Sequence, residues 1–303
     1  MKEHPLQIDA ASPAVGVLLV SHGSRSPTWR QMLLAVEDDV RETLLAMPGV
    51  AGVRSAFMEN AEPSIADQLK AFDRDGVNRV VIVPLLLTIS NHTFDDIPTI
   101  CGLKSDPACM AALEQEQIER YVPRAQVVLT PLLDYPRMVR INIARRVRLL
   151  QQGAAPADPR RDGLVLVGYG SAEFDNPWES FFSELSDFAV RELGLATAAH
   201  AWCGHIVHYA MEPTVSAIQR VLANADRALV LPLLVAFDEM FQLRIIGGAV
   251  EQVAVPGHVL YRADAILPEP EVARWVIEAV RGQMETPIEE TVNCMEECHD
   301  QHE

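Results

Sequence analysis

Residues 18–27, LLVSHGSRSP, end an apolar run on Ser21, His22 and Gly23. Aliphatic residues that read as the close of a buried strand pass directly to an imidazole and a glycine, so His22 is delivered at a strand tip. Buried parallel strands are near-continuous aliphatic runs, and residues 15–20 fit that pattern. The fold then depends on whether the rest of the chain repeats this unit.

It does so twice. LLVSHGS (18–24) is answered by VLVGYGS (165–171), AEPSI (61–65) by MEPTV (211–215), and VVIVPLLL (80–87) by ALVLPLLV (228–235). The order is kept and the offsets are 147, 150 and 148 residues, the mark of a duplicated domain. QQGAAPADPRRDG, residues 151–163, is rich in small residues and proline and reads as the linker. This divides the chain into residues 1–150, residues 163–285 and an acidic tail, 286–303.

Within the first copy, runs at 15–20, 53–58, 80–86 and 127–129 read as strands. Helical spacing at 29–47, 64–72, 95–119 and 138–150 lies between them. Ser64 followed by Asp67 resembles a capping box. Strands alternating with helices predict an α/β fold in which each copy is a parallel sheet with helices on both faces. Such sheets place their sites at the carboxyl ends of the strands.

Three ionisable residues fall at those ends: His22, Glu59 and His92. Two imidazoles and a carboxylate are a common ligand set for Zn, Fe, Co or Ni. Strand alternation favours Glu59 over Glu62, which opens the following helix. Singly, each also has an ordinary structural reading; their coincidence at strand ends is what points to a site. Other chemistries are disfavoured, because the chain has no phosphate-binding G-x-x-x-x-G-K-[ST] loop and no G-x-S-x-G elbow. Ser21 stands before His22-Gly23 where phosphatases with a histidine nucleophile carry arginine.

Together HGS at the first strand, FMENAEPSI after the second and VVIVPLLLTISNHTFDDIP at the third resemble the class II tetrapyrrole chelatases of the CbiX/SirB type. These are sirohydrochlorin cobalto- and ferrochelatases. The resemblance implies two chelatase-like domains and ATP-independent insertion of a divalent metal (cobalt, iron or nickel) into sirohydrochlorin, on the route to cobalamin or sirohaem. The metal would be a substrate, with no cofactor permanently bound. His22 would bind the metal and accept a pyrrole proton, with His92 as second ligand and Glu59 assisting. Ser24, Arg25, Glu62, Leu87, Thr88, Ile89, Ser90 and Asn91 would line the macrocycle. Gly23 would give the ring room against the backbone, and Arg25, Arg30 and Arg54 would be candidates for its carboxylates. A metallochaperone using the same histidines is the rival reading.

In the second copy Tyr169 stands at the position of His22 and Met240 near that of His92, so this half is expected to keep shape without the chemistry. HAWCGHIVHYAMEP gathers His200, Cys203, His205 and His208, read as structure or a wall of the cleft. The tail holds Cys294, Cys298, His299 and His302, in a spacing unlike a standard zinc finger. A net charge of −17 argues against nucleic acid, and no apolar run is long enough for a membrane span. The amino-terminal residues lack the apolar core of a signal peptide and the cysteines number five, so a cytoplasmic protein with reduced thiols is expected. Either a monomer with pseudo-dimeric halves or a homo-oligomer fits.

Overall fold

The computed structural model describes residues 14–86, 95–131, 135–154, 158–253 and 257–285. The first unit contains β1 (Val15–Ser21), α1 (Pro27–Leu45), β2 (Val50–Phe57), α2 (Ile65–Arg74), β3 (Arg79–Pro84), α3 (Ile97–Ile100), α4 (Pro107–Gln115), β4 (Gln126–Leu129) and α5 (Tyr135–Gln152). The second contains β5 (Asp162–Gly168), α6 (Asp175–Arg191), β6 (Thr197–Trp202), α7 (Glu212–Leu222), β7 (Arg227–Pro232), α8 (Gly248–Val253), β8 (Val259–Tyr261) and α9 (Pro270–Glu285). The sheets have matching orders, β2-β1-β3-β4 and β6-β5-β7-β8, and every pairing is parallel. The duplication in the sequence is thus a duplication of topology.

Sequence dictates much of this locally. Ser26 caps α1 by accepting from the Trp29 amide, and Pro27 fits the first turn because no bond is lost there. Half of the Ser64–Asp67 box forms: the Asp67 amide donates to Ser64 Oγ at 3.1 Å, while the Ser64 amide is taken by Glu62 instead of Asp67. The helix expected over 95–119 is not continuous. Gly102 turns the chain at φ +76°, and Pro107 starts a new helix capped by Asp106, leaving α3 and α4.

Alternation sorts the strand residues onto two faces. Val15, Val17 and Leu19 of β1 and Leu164 and Leu166 of β5 belong to one continuous core. Leu18 and Val20 face a separate outer core under α2, α3 and α4, and Val165 and Val167 face another under α7. The shared core is closed by an exchange of helices. α5 follows the first sheet in sequence but packs against β7 and α6, while α9 packs against β3 and α1. Val272, Val276 and Val280 are the buried stripe of α9, each contributing about 1.5 kcal/mol or more by leaving water.

The bond between α5 and the second unit is polar as well. Asn142 Nδ2 donates to the Ile266 carbonyl at 3.1 Å and to Glu269 at 2.7 Å, and Arg146 Nη1 donates to the Pro232 carbonyl at 2.8 Å. Arg146 also pairs with Asp264. Among the described residues no helix is long and apolar enough to cross a membrane.

Candidate functional site

The parallel ladder between β1 and β2 runs past the strands' formal ends. Met58 donates its amide to the Ser21 carbonyl at 2.9 Å, and Glu59 donates to the His22 carbonyl at 3.0 Å. These bonds lock the two strand tips side by side and bring His22 Nδ1 to 3.5 Å from Glu59 Oε1. His22 Nδ1 also lies 3.2 Å from the Gly23 carbonyl. With a carbonyl and a carboxylate both facing Nδ1, the ring proton is assigned there, making Nε2 the lone-pair nitrogen. The His22 side chain is 41% exposed and that of Glu59 24%, so the pair is open to a ligand.

Gly23 serves a different purpose from the one expected. At φ +107°, a Cβ on this residue would stand 1.8 Å from the Glu59 carbonyl oxygen. The room it provides is filled by the neighbouring strand, and what glycine permits is the His22–Glu59 approach itself. Asn60 is a site residue that the sequence reading passed over. It sits in the left-handed region at φ 56° and donates from Nδ2 to Glu59 Oε1 at 2.6 Å. Asparagine is among the few residues that take this conformation readily, and that was the available signal.

The other expected residues are placed less uniformly. Ser24 Oγ accepts from the Ser26 amide, shaping the entry to α1. Glu62 Oε2 accepts from the Ser64 amide at 2.9 Å, at the start of α2. Arg30 turns back to donate to the carbonyls of Ser24 and Arg25, and Arg54 pairs with Asp75 while lying 4.3 Å from the Phe72 ring centre. Both are therefore committed within the fold, whereas Arg25 stays exposed beside the site. Leu87, Thr88, Ile89, Ser90, Asn91 and His92 lie outside the described residues, as does the tail with Cys294, Cys298, His299 and His302. Among the described residues no three His, Cys, Asp or Glu side chains gather to hold a metal ion.

The equivalent corner of the second unit keeps the backbone and changes the chemistry. Gly204 donates to the Tyr169 carbonyl at 2.9 Å, repeating the Glu59–His22 bond, so Tyr169 replaces His22 and Gly204 replaces Glu59. β6 ends at Trp202, and His205–Val207 form a 3₁₀ turn, so strand alternation does not order the histidines beyond it. His200 instead meets Glu179 at 2.9 Å, beside Trp202, whose Nε1 donates to the same carboxylate.

Comparison with known proteins bears on the family and the fold. The CbiX family profile matches residues 16–148, the unit that carries His22 and Glu59. A sirohydrochlorin cobaltochelatase of Methanopyrus kandleri is 37% identical over 92 residues, 30% of this chain and 62% of that protein. One from Methanococcoides burtonii is 32% identical over 96 residues, 32% of this chain and 69% of that protein. The matched segments thus span about two thirds of these relatives' length. The sirohydrochlorin chelatase SirB from Bacillus subtilis subspecies spizizenii, solved in complex with cobalt, superposes over 91% of this chain and 98% of its own. Its TM-score is 0.60 at 18% identity, which carries the fold across both halves. A solved CbiX, described as the terminal enzyme for biosynthesis of siroheme in denitrifying bacteria, gives 0.54 over 88% of this chain at 18% identity. By its motifs, its paired parallel sheets and these matches, the chain belongs to the CbiX family.

Proposed function

We propose that the protein inserts a divalent metal, cobalt or iron, into sirohydrochlorin without ATP, and that the first half carries the chemistry. The observation that carries this reading is the His22–Glu59 pair, held at adjoining strand tips inside the segment that matches CbiX. Insertion needs a donor that strips water from the metal and a base for the pyrrole N–H protons. A neutral imidazole can take either part and exchange one for the other. Glu59, with Oε1 3.5 Å from His22 Nδ1, is placed to orient the ring and to balance the charge it gains when Nε2 takes a proton. Asn60 holds that carboxylate by donating to the same oxygen, Oε1. His92, on the segment after β3, is proposed as the second ligand, and Ser24, Arg25, Glu62 and residues 87–91 as lining for the macrocycle. The names borne by the cobaltochelatase relatives and by the cobalt-bound SirB support the same substrates.

The test is an absorbance assay with metal-free sirohydrochlorin and Co²⁺ or Fe²⁺ supplied in parallel. Wild-type protein is expected to shift the tetrapyrrole band. His22→Ala should slow insertion about 100-fold or more, and Glu59→Gln, which keeps shape and loses charge, about 10-fold. Near-normal insertion by a folded His22→Ala protein would make the histidine structural and remove the site.

A further inference from the structure

The Tyr169 corner has been rebuilt rather than simply emptied. Glu59 to Glu62, at the entry to α2, is a step of three residues, whereas Gly204 to Glu212, at the entry to α7, is a step of eight. The five extra residues curl into the His205–Val207 turn, closed by bonds from Tyr209 N to the Gly204 carbonyl at 3.0 Å and from Ala210 N to the Val207 carbonyl at 3.0 Å. His208 and Tyr209 both sit in the left-handed region, at φ 53° and 59°. Two successive non-glycine residues in that conformation cost about 1–2 kcal/mol each and need compensation.

Compensation comes from both ends of the loop. Ile206 packs on the shared core and closes over Gly170. Tyr209 shares a hydrogen bond with the Tyr169 hydroxyl, and burial together with that bond pushes the Tyr169 pKa up, so the phenol stays neutral. Tyr169 is 5.5 Å from both the His205 and the Phe241 rings, and Tyr209 is 6.3 Å from Phe241. Beside this cluster apolar side chains reach the surface: Tyr209 is 42% exposed, and Met240 and Leu243, on the π-helical stretch Met240–Gly247, are 40% and 50% exposed, flanked by the exposed Glu239 and Arg244. His205 and His208 are exposed at its edge.

We infer that this corner is a stacking platform for one face of the tetrapyrrole, so that the second half holds the ring while the first half handles the metal. The inference rests on the function proposed above. An uncharged phenol, a phenyl edge and two flexible apolar side chains suit the face of a large planar π-system, and exposed imidazoles suit the carboxylates at its rim. The helix that follows His22 links the two corners. Met32, on the helix that begins just after His22, accepts at Sδ from the Phe237 amide at 3.2 Å, three residues before Met240. Trp29 of that helix and Ile206 of the inserted loop pack on the same core.

The experiment titrates metal-free sirohydrochlorin into intact protein and follows its absorbance and fluorescence. Tyr209→Ala should weaken ring binding about 10-fold, raising KM for the tetrapyrrole while kcat at saturation stays within about 2-fold. Tyr209→Phe, which keeps the ring, should bind within about 2-fold of wild type. The double variant Met240→Ala, Leu243→Ala changes only exposed side chains and should weaken binding even where Tyr209→Ala fails to fold. If the wild type binds the tetrapyrrole and Tyr209→Ala and the double variant bind it equally well, the platform is wrong and the functional reading stands. If the wild type binds no tetrapyrrole, both fall.

Discussion

Arg79 and Arg227 hold the same place in the two sheets, and their surroundings set them opposite energetics. Arg227 lies in register with Asp162 and makes a bidentate pair with it, Nε to Oδ1 at 2.6 Å and Nη2 to Oδ2 at 2.9 Å, while Gln151 donates to the same carboxylate. Arg79 lies in register with Val15; its Nε and Nη2 are buried with no hydrogen-bond partner among the described residues, and burial lowers its pKa. Removing one member of a buried pair strands the other, whereas removing an uncompensated charge relieves a penalty. Arg227→Met should therefore destabilise by about 3–5 kcal/mol and Arg79→Met should stabilise by about 1 kcal/mol in urea unfolding; shifts of the same sign would contradict this. Residue chemistry of this kind was only partly legible in the sequence. His22 and Glu59 could be placed because strand tips are predictable from apolar runs. The true role of Gly23 and the presence of Asn60 could not, because both depend on where the neighbouring backbone passes.

At the scale of elements, periodicity served well where one face of a helix is buried and its cap is local, as in α1 and α2. It failed over 95–119, where apolar residues keep a helical spacing across a break marked by Gly102, Asp106 and Pro107. One contact absent from any local pattern ties α2 to the approach to β4. Asp73, 6% exposed, accepts from the Arg124 amide and the Tyr121 hydroxyl, at 3.0 and 2.8 Å, and from the Ala125 amide. Burial pushes its pKa up, but the combined hydrogen bonds outweigh that and hold it below the ordinary carboxylate value. A depressed pKa contributes stability that is complete above the unfolded value, about 3.9, and is lost as the pH falls through the folded one. Asp73→Asn should cost about 2 kcal/mol at neutral pH, and its acid unfolding curve should be flatter than the wild type's below about pH 4. Equal slopes in urea-monitored acid titrations would remove Asp73 from the account.

For the whole molecule, the two copies were visible in the sequence because three motifs recur in order at nearly constant offset. The exchange of α5 and α9 was not, since an apolar stripe shows that a helix is buried without saying on which sheet. The exchange matters for any attempt to separate the halves. A chain ending at Gln152 would carry α5 without β7 and α6, and would leave β3 without α9. Such a fragment should self-associate and bind a hydrophobic dye, and co-expression with residues 158–303 should restore a one-to-one complex, as read by light scattering. A dye-silent monomer of residues 1–152 would show that α5 folds back onto its own sheet.

The same exchange bears on the order in which the protein is made. A ribosome releases β1 to β4 early, yet the helix that covers one face of β3 is the last described element of the chain. The nascent first unit must therefore wait with an apolar face uncovered while more than a hundred further residues are translated, and it can finish folding only when the second unit does. Its vulnerability during synthesis, and its demand for chaperones, should track the delay before α9 emerges rather than the stability of the finished fold.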